Sequence, residues 1–288
     1  MSTPRPVSLV WPIAAVLVAI VSLQGGASLA KGLFPVVGAQ GATTLRLVFA
    51  TTMMLAVWRP WRTPVPRANR LFILGYGAAL GCMNLTFYMS LRTVPLGLAV
   101  ALEFVGPLAV AVIQSHRLLD LAWVVMAAIG IALLLALGPA TAHIDPIGAG
   151  FALAAGVCWG FYIILGKRAR ANGAQGHAVA YGAVIATLIV TPFGVAQAGA
   201  GLFAPAIIPT ALAIAFFTSA LPYSLEMVAL SRMPARTFGV LMSLEPVVGA
   251  LSGFVFLGER LNCLQVSAIA LIMAASAGVV LAQPRPTP

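Results

Sequence analysis

Charge is scarce in this 288-residue chain: 8% of its residues are Asp, Glu, Lys or Arg, and only 6 are acidic. A soluble domain covers its surface with roughly a quarter charged residues, so this composition argues for a bilayer as solvent. Cysteine is nearly absent as well. Cys82, Cys158 and Cys263 lie in or beside apolar stretches without paired spacing, which leaves free thiols rather than a disulfide framework. His116, His143 and His177 fall in loops and lack metal-ligand spacing. There is no Walker loop, no GxGxxG unit and no zinc signature, so nothing asks for ATP, a metal or another cofactor. A convergent His/Asp or metal cluster, which an intramembrane enzyme would need, is missing, and so is a long soluble segment of the kind a receptor or scaffold would carry.

What the chain has instead is apolar length. Its residues are 61% hydrophobic, with a mean hydropathy of +1.04. A membrane helix needs about 20 apolar residues to cross a ~30 Å hydrocarbon core. On that measure ten spans fit, near 10–30, 38–58, 71–91, 95–114, 119–138, 147–166, 178–198, 206–230, 236–257 and 261–281. The apolar stretch from Val7 to Ala30 exceeds a signal-peptide core and lacks a clear cleavage site, so it is read as a retained helix. The expected fold is an all-α membrane protein of ten transmembrane helices.

The net charge of +10 could suggest nucleic acid, but its distribution points elsewhere. With the N-terminus inside, twelve basic residues fall on inner segments and only Lys31, Arg92 and Arg260 on outer ones. That asymmetry is the positive-inside pattern and sets both termini in the cytoplasm. Arg59, Arg62, Arg67 and Arg70 form an inner basic loop able to touch anionic lipid. No long polar insert exists to dock a duplex.

Shifting the chain by 139 residues lays RTVPLGLAVALEFVGPLAVA (92–111) over SRMPARTFGVLMSLEPVVGA (231–250) without a gap. Pro95 then meets Pro234, Pro107 meets Pro246, and Asp120 meets Glu259. The shift spans five helices, an odd number, so the second copy enters the membrane from the opposite side. The expectation is two inverted five-helix repeats, 7–140 and 146–282, with a binding site between them near the midplane and alternating access by rocking. Three GxxxG pairs, Gly77/Gly81, Gly156/Gly160 and Gly249/Gly253, either mark close helix contacts or reflect the abundance of glycine in membrane helices.

Four charges interrupt the apolar runs: Arg46, Glu103, Glu226 and Glu245. A charge at bilayer depth costs about 2.5 kcal/mol or more, so such groups face protein or water rather than lipid. At ~1.5 Å per residue, Arg46 and Glu103 lie roughly 12 Å from the outer face and Glu245 roughly 13 Å from the inner one. Glu226 is nearer the inner end. Glu103 and Glu245 each either pair with Arg46 or a polar group and fix packing, or hold a substrate cation or a proton. Pro107 follows Glu103 by one turn and Pro246 follows Glu245 directly. A proline frees a carbonyl of the preceding turn and kinks the helix, and freed groups at membrane depth need protein or cavity water. Acid and kink together mark two helices lining a polar cavity. Asp145 is placed to cap the helix opened by Pro146, and Gly258-Glu259-Arg260 reads as a turn on the outer face.

With these residues in view, the chain resembles the EamA-type members of the drug/metabolite transporter superfamily, and within them the bacterial threonine/homoserine exporters. The stretches that carry the likeness are SLQGGASLAKGLFP (22–35), TVPLGLAVALEFVGPLAVA (93–111), ALPYSLEMVAL (220–230), MPARTFGVLMSLEP (233–246) and LEPVVGALSGFVFLGERL (244–261). The resemblance runs the full length. It implies a bacterial inner-membrane exporter of small zwitterionic amino acids, driven by the proton gradient. In such a site Glu103 would meet the ammonium and Arg46 the carboxylate. Asn84, Tyr88, Tyr223 and Ser224 would offer hydrogen bonds to a side-chain hydroxyl. Proton and substrate competing for Glu103 would couple export to proton entry. The first half carries SHRLLD (115–120) where the second has FLGERL (256–261), so the Gly-Glu turn occurs once and any gating through it would be unequal. The competing reading is a transporter of the same fold for another metabolite or a drug, which an aromatic content of 8% disfavours for bulky cations.

Overall fold

A computed structural model describes residues 10–62, 65–113, 119–136, 145–169, 175–230 and 232–282, and among these there is no strand. His116, His143 and residues 115–118 lie outside the described residues. The helices are α1 (Val10–Gly32), α2 (Phe34–Trp58), α3 (Arg70–Ser90), α4 (Leu96–Glu103), α5 (Val105–Ile113), α6 (Leu119–Ala136) and α7 (Pro146–Ala169). They continue with α8 (Gln175–Ala198), α9 (Ile208–Ala215), α10 (Leu221–Leu230), α11 (Ala235–Met242), α12 (Glu245–Leu257) and α13 (Cys263–Ala282).

Among the described residues, seven helical stretches are long and apolar enough to cross a membrane: Val10–Gly32, Phe34–Trp58, Arg67–Ser90, Pro146–Ala169, His177–Phe203, Pro205–Glu226 and Thr237–Leu257. Three more, Leu96–Val110, Ala122–Leu133 and Cys263–Gly278, are apolar but shorter. Large apolar side chains such as Leu74, Leu188, Phe254 and Val255 point outward, which a bilayer tolerates and water does not. The interior is built around α4, whose residues from Leu96 to Glu103 are all buried. Its neighbours come from far along the chain: α4 packs on α7 and α12, α2 on α8, α3 on α7 and α8, α1 on α10 and α12, and α6 on α13.

Several helices that read as continuous in the sequence are broken. The 95–114 span divides at Phe104 and the 236–257 span at Ser243–Leu244, both in tight right-handed turns. Pro107 explains the first break by denying Glu103 its carbonyl partner one turn on. Pro246 sits in the first turn of α12, where an N–H is not needed. Between α9 and α10, Phe216–Ala220 forms a π-helical segment, just ahead of Pro222, which has no N–H for the Thr218 carbonyl. In α2, Gly38 is left-handed (φ 71°), and the ladder it interrupts is repaired by Gln197, whose Oε1 accepts the Gln40 N–H at 2.8 Å.

Five of the six GxxxG glycines abut another helix. Gly77 and Gly81 lie on α8 at Ile185 and Ala186, Gly156 and Gly160 on α5 at Gly106 and Val110, and Gly249 on α4 at Gly97 and Val100, with Gly253 under Glu259. A Cβ on Gly156 would stand 2.6 Å from the Glu103 carbonyl oxygen, so the freed carbonyl is covered by the bare backbone of α7. At one end of the molecule, Glu259 joins three helix termini. Its Oε1 is 2.6 Å from Lys31 Nζ at the end of α1, and its Oε2 accepts the Leu96 N–H at the start of α4 at 2.8 Å. Asp145 caps α7 as its position implied, with Oδ1 accepting from Ile147 N and Oδ2 from Gly148 N and Thr93 Oγ1. Donation by Thr93, with the two backbone bonds, holds the Asp145 carboxyl below its ordinary range.

Candidate functional site

The broken helices converge on a cavity of about 280 Å³. Its charged lining comes from four elements: Arg46 of α2, Glu103 at the end of α4, Glu226 of α10 and Glu245 at the start of α12. Glu103 and Glu245 are 9% and 3% exposed, so both acids are withdrawn from the surface and meet in one chamber. A second cavity of about 270 Å³ adjoins it. Arg46, Asn84, Tyr162, Tyr223 and Glu226 line both, and the second runs on along α2 past Thr51 to Trp58.

Arg46 is held by neutral partners. Its Nε donates to Thr218 Oγ1 at 2.9 Å, and its Nη1 to Asn84 Oδ1 at 2.8 Å. The guanidinium carbon lies 5.4 Å from the centre of the Tyr88 ring. The π-helical segment matters here, because it delivers Thr218 to the guanidinium and Ser219 to the second cavity. Of the two accounts of the acids, pairing with Arg46 is the one the geometry lacks: among the described residues the ion pair within 4.0 Å is Lys31–Glu259. Glu245 Oε1 is buried with no hydrogen-bond partner. The cavity wall thus presents three carboxylates and one guanidinium without joining them.

The remaining sequence candidates divide. Asn84 and Tyr223 line the cavity. Asn84 is already occupied, with Oδ1 accepting from Arg46 and Nδ2 donating to Leu80 O at 2.8 Å. Tyr88 is fully buried behind Arg46 and does not line either chamber. Ser224 is exposed and turns its hydroxyl to the Ala220 carbonyl at 2.6 Å. Pro107 and Pro246 set the turns that present the acids without lining the cavity themselves. His177, expected in a loop, lies in the first turn of α8 with its ring stacked on Tyr181, away from both chambers. Among the described residues no His/Cys/Asp/Glu cluster has metal-binding geometry.

Residues the sequence reading passed over also line the site. Gln24 enters from α1, Trp159 and Tyr162 from α7, and Thr218 from the π segment. Tyr162 is stacked on Tyr76, with ring centroids 4.7 Å apart and their hydroxyls 3.1 Å apart. Gln24 could have been found, as a lone amide in the apolar run of α1; the tyrosines carry no such signal.

Comparison with known proteins fits this architecture. The EamA-like transporter family matches residues 146–281. The threonine/homoserine exporter RhtA of Escherichia coli (strain K12) is 52% identical over 273 residues, covering 94% of this chain and 92% of its own. The threonine/homoserine exporter RhtA of Salmonella typhimurium (strain LT2) gives the same identity and coverage. A solved crystal structure superposes with a TM-score of 0.57 at 20% identity, over 93% of this chain and 96% of that one, a likeness of fold alone. The chain belongs to the EamA-like transporter family, as a multi-pass membrane protein of the branch whose relatives bear the name threonine/homoserine exporter.

Proposed function

We propose that the protein is a secondary transporter of the bacterial inner membrane that exports threonine and homoserine in exchange for protons. The observation that carries this reading is the central cavity, where Arg46 and the acids Glu103, Glu226 and Glu245 face one small chamber without pairing. A zwitterion brings one charge of each sign, and a chamber that strips its water must answer both. Arg46, preset by Thr218 and Asn84, takes the carboxylate; the buried acids divide the ammonium and the exchanged proton between them. The volume of about 280 Å³ suits a small amino acid better than a bulky drug.

The membrane arrangement belongs to the same proposal. The seven long spans and three shorter apolar helices together make ten crossings, the short ones completed by their flanking turns. The halves 7–140 and 146–282 are inverted repeats, both termini are cytoplasmic, and alternating access follows from one half rocking on the other. The packing of first-half helices chiefly on second-half helices supports this.

The test is accumulation of labelled homoserine and threonine in everted vesicles, where export becomes uptake. Gradient-driven accumulation above vesicles lacking the protein supports the reading. No accumulation of either amino acid by inserted, monodisperse protein transfers the cavity to a different metabolite.

A further inference from the structure

Gln24 is 3% exposed, its Oε1 is shielded and has no hydrogen-bond partner, and yet its side chain lines the central cavity. Its backbone carbonyl is engaged separately, accepting from Ser28 Oγ at 3.1 Å. Glu245 Oε1 shares this condition in the same chamber. The two belong to one corner: Gly249 lies one turn beyond Glu245 on α12, and a Cβ there would stand 3.4 Å from Gln24 Oε1. Buried polar atoms are rarely left unpaired, and two bare acceptors on neighbouring residues of one chamber are complementary to a group with several donors that draws both side chains toward it.

This corner is also set apart from the guanidinium. Arg46 lines both chambers, whereas Gln24, Glu103 and Glu245 line only the central one. A zwitterion with its carboxylate on Arg46 would turn its cationic pole toward the residues that line the central chamber alone. An ammonium carries three N–H donors, enough to satisfy Gln24 Oε1 and Glu245 Oε1 together. A hydroxyl carries one and would leave an acceptor bare.

We propose that Gln24 and Glu245 form the ammonium subsite of the transported amino acid, and that Glu103, the other acid that lines the central chamber alone, takes the exchanged proton. This rests on the amino-acid reading above and assigns roles within its site. The experiment is binding of labelled homoserine to purified full-length protein, with threonine and 2-aminobutyrate as competitors. 2-Aminobutyrate keeps the ammonium and lacks the hydroxyl. Gln24→Leu should weaken all three about tenfold, the loss of one charge-assisted hydrogen bond. Gln24→Glu, which restores an acceptor, should return binding to within about threefold of the unaltered protein. Unchanged binding in Gln24→Leu, a loss confined to the hydroxylated ligands, or a Gln24→Glu variant as weak as Gln24→Leu would each overturn the assignment. Should Gln24→Leu not insert, Gln24→Met makes the same test with an unbranched side chain. Failure of the unaltered protein to bind any of the three would overturn the amino-acid reading instead, a result distinct from these.

Discussion

Breaking the Lys31–Glu259 pair should loosen the junction of α1, α4 and α12 by an amount the structure bounds. The pair is short, at 2.6 Å, and the two side chains are 22% and 13% exposed. With an effective dielectric of ~20, that separation corresponds to a gross attraction of about 6 kcal/mol. Desolvation and the ordering of two long side chains offset most of it. Exposed pairs net about 0–1 kcal/mol, and losing one partner of a buried pair costs about 3–5 kcal/mol. A pair between these limits should be worth about 1–3 kcal/mol. Glu259→Gln keeps an acceptor for the Leu96 N–H and removes only the charge, so it isolates the electrostatic part. The assay is a double-mutant cycle with Lys31→Met, read by SDS-titrated unfolding in mixed micelles. Each single variant should lose about 1–3 kcal/mol, and the double variant should lose less than their sum by about 1–2 kcal/mol. Additivity within about 0.5 kcal/mol would refute the claim that these residues act as a pair.

Two further outcomes follow from the packing and the cap. Gly156→Leu drives a side chain into the Glu103 carbonyl, which backbone cannot easily yield, and should lower stability by about 1–3 kcal/mol in the same titration; a neutral result would mean that α7 does not seal the α4–α5 break. Because the folded Asp145 carboxyl titrates below its ordinary value of 3.8, its contribution is present above that value and is lost as the pH falls through the lowered folded one. Thermal scans between pH 5 and 2.5, compared with Asp145→Asn, should show a smaller acid loss in the variant, and parallel curves would contradict the capping role.

The helical class was legible because lipid imposes it: apolar runs of span length with few charges have no other outcome at bilayer depth. Glu103, Glu245 and Arg46 stood out for the same reason, since each is costly unless it faces a cavity, and all three do. Tyr88 and Ser224 were named by type alone, and their directions depend on neighbours that the local sequence does not specify. The π segment at Phe216–Ala220 had a signal that was passed over: Pro222 has no N–H for the Thr218 carbonyl four residues back, and the carbonyls of Phe217 and Thr218 accept instead from Ser22 Oγ at 2.7 Å and Arg46 Nη2 at 3.5 Å. Gln24 was legible as a lone amide in the apolar run of α1, but its missing hydrogen-bond partner is visible only once α12 is set beside it.

Central to the proposed transport is a buried carboxylate that exchanges a proton while the substrate is held elsewhere. The most direct test is Glu103→Gln in everted vesicles, comparing proton-gradient-driven homoserine accumulation with counterflow of labelled homoserine against an unlabelled internal pool. The expected result is loss of gradient-driven accumulation with counterflow retained. Accumulation that still follows the proton gradient in Glu103→Gln would contradict it.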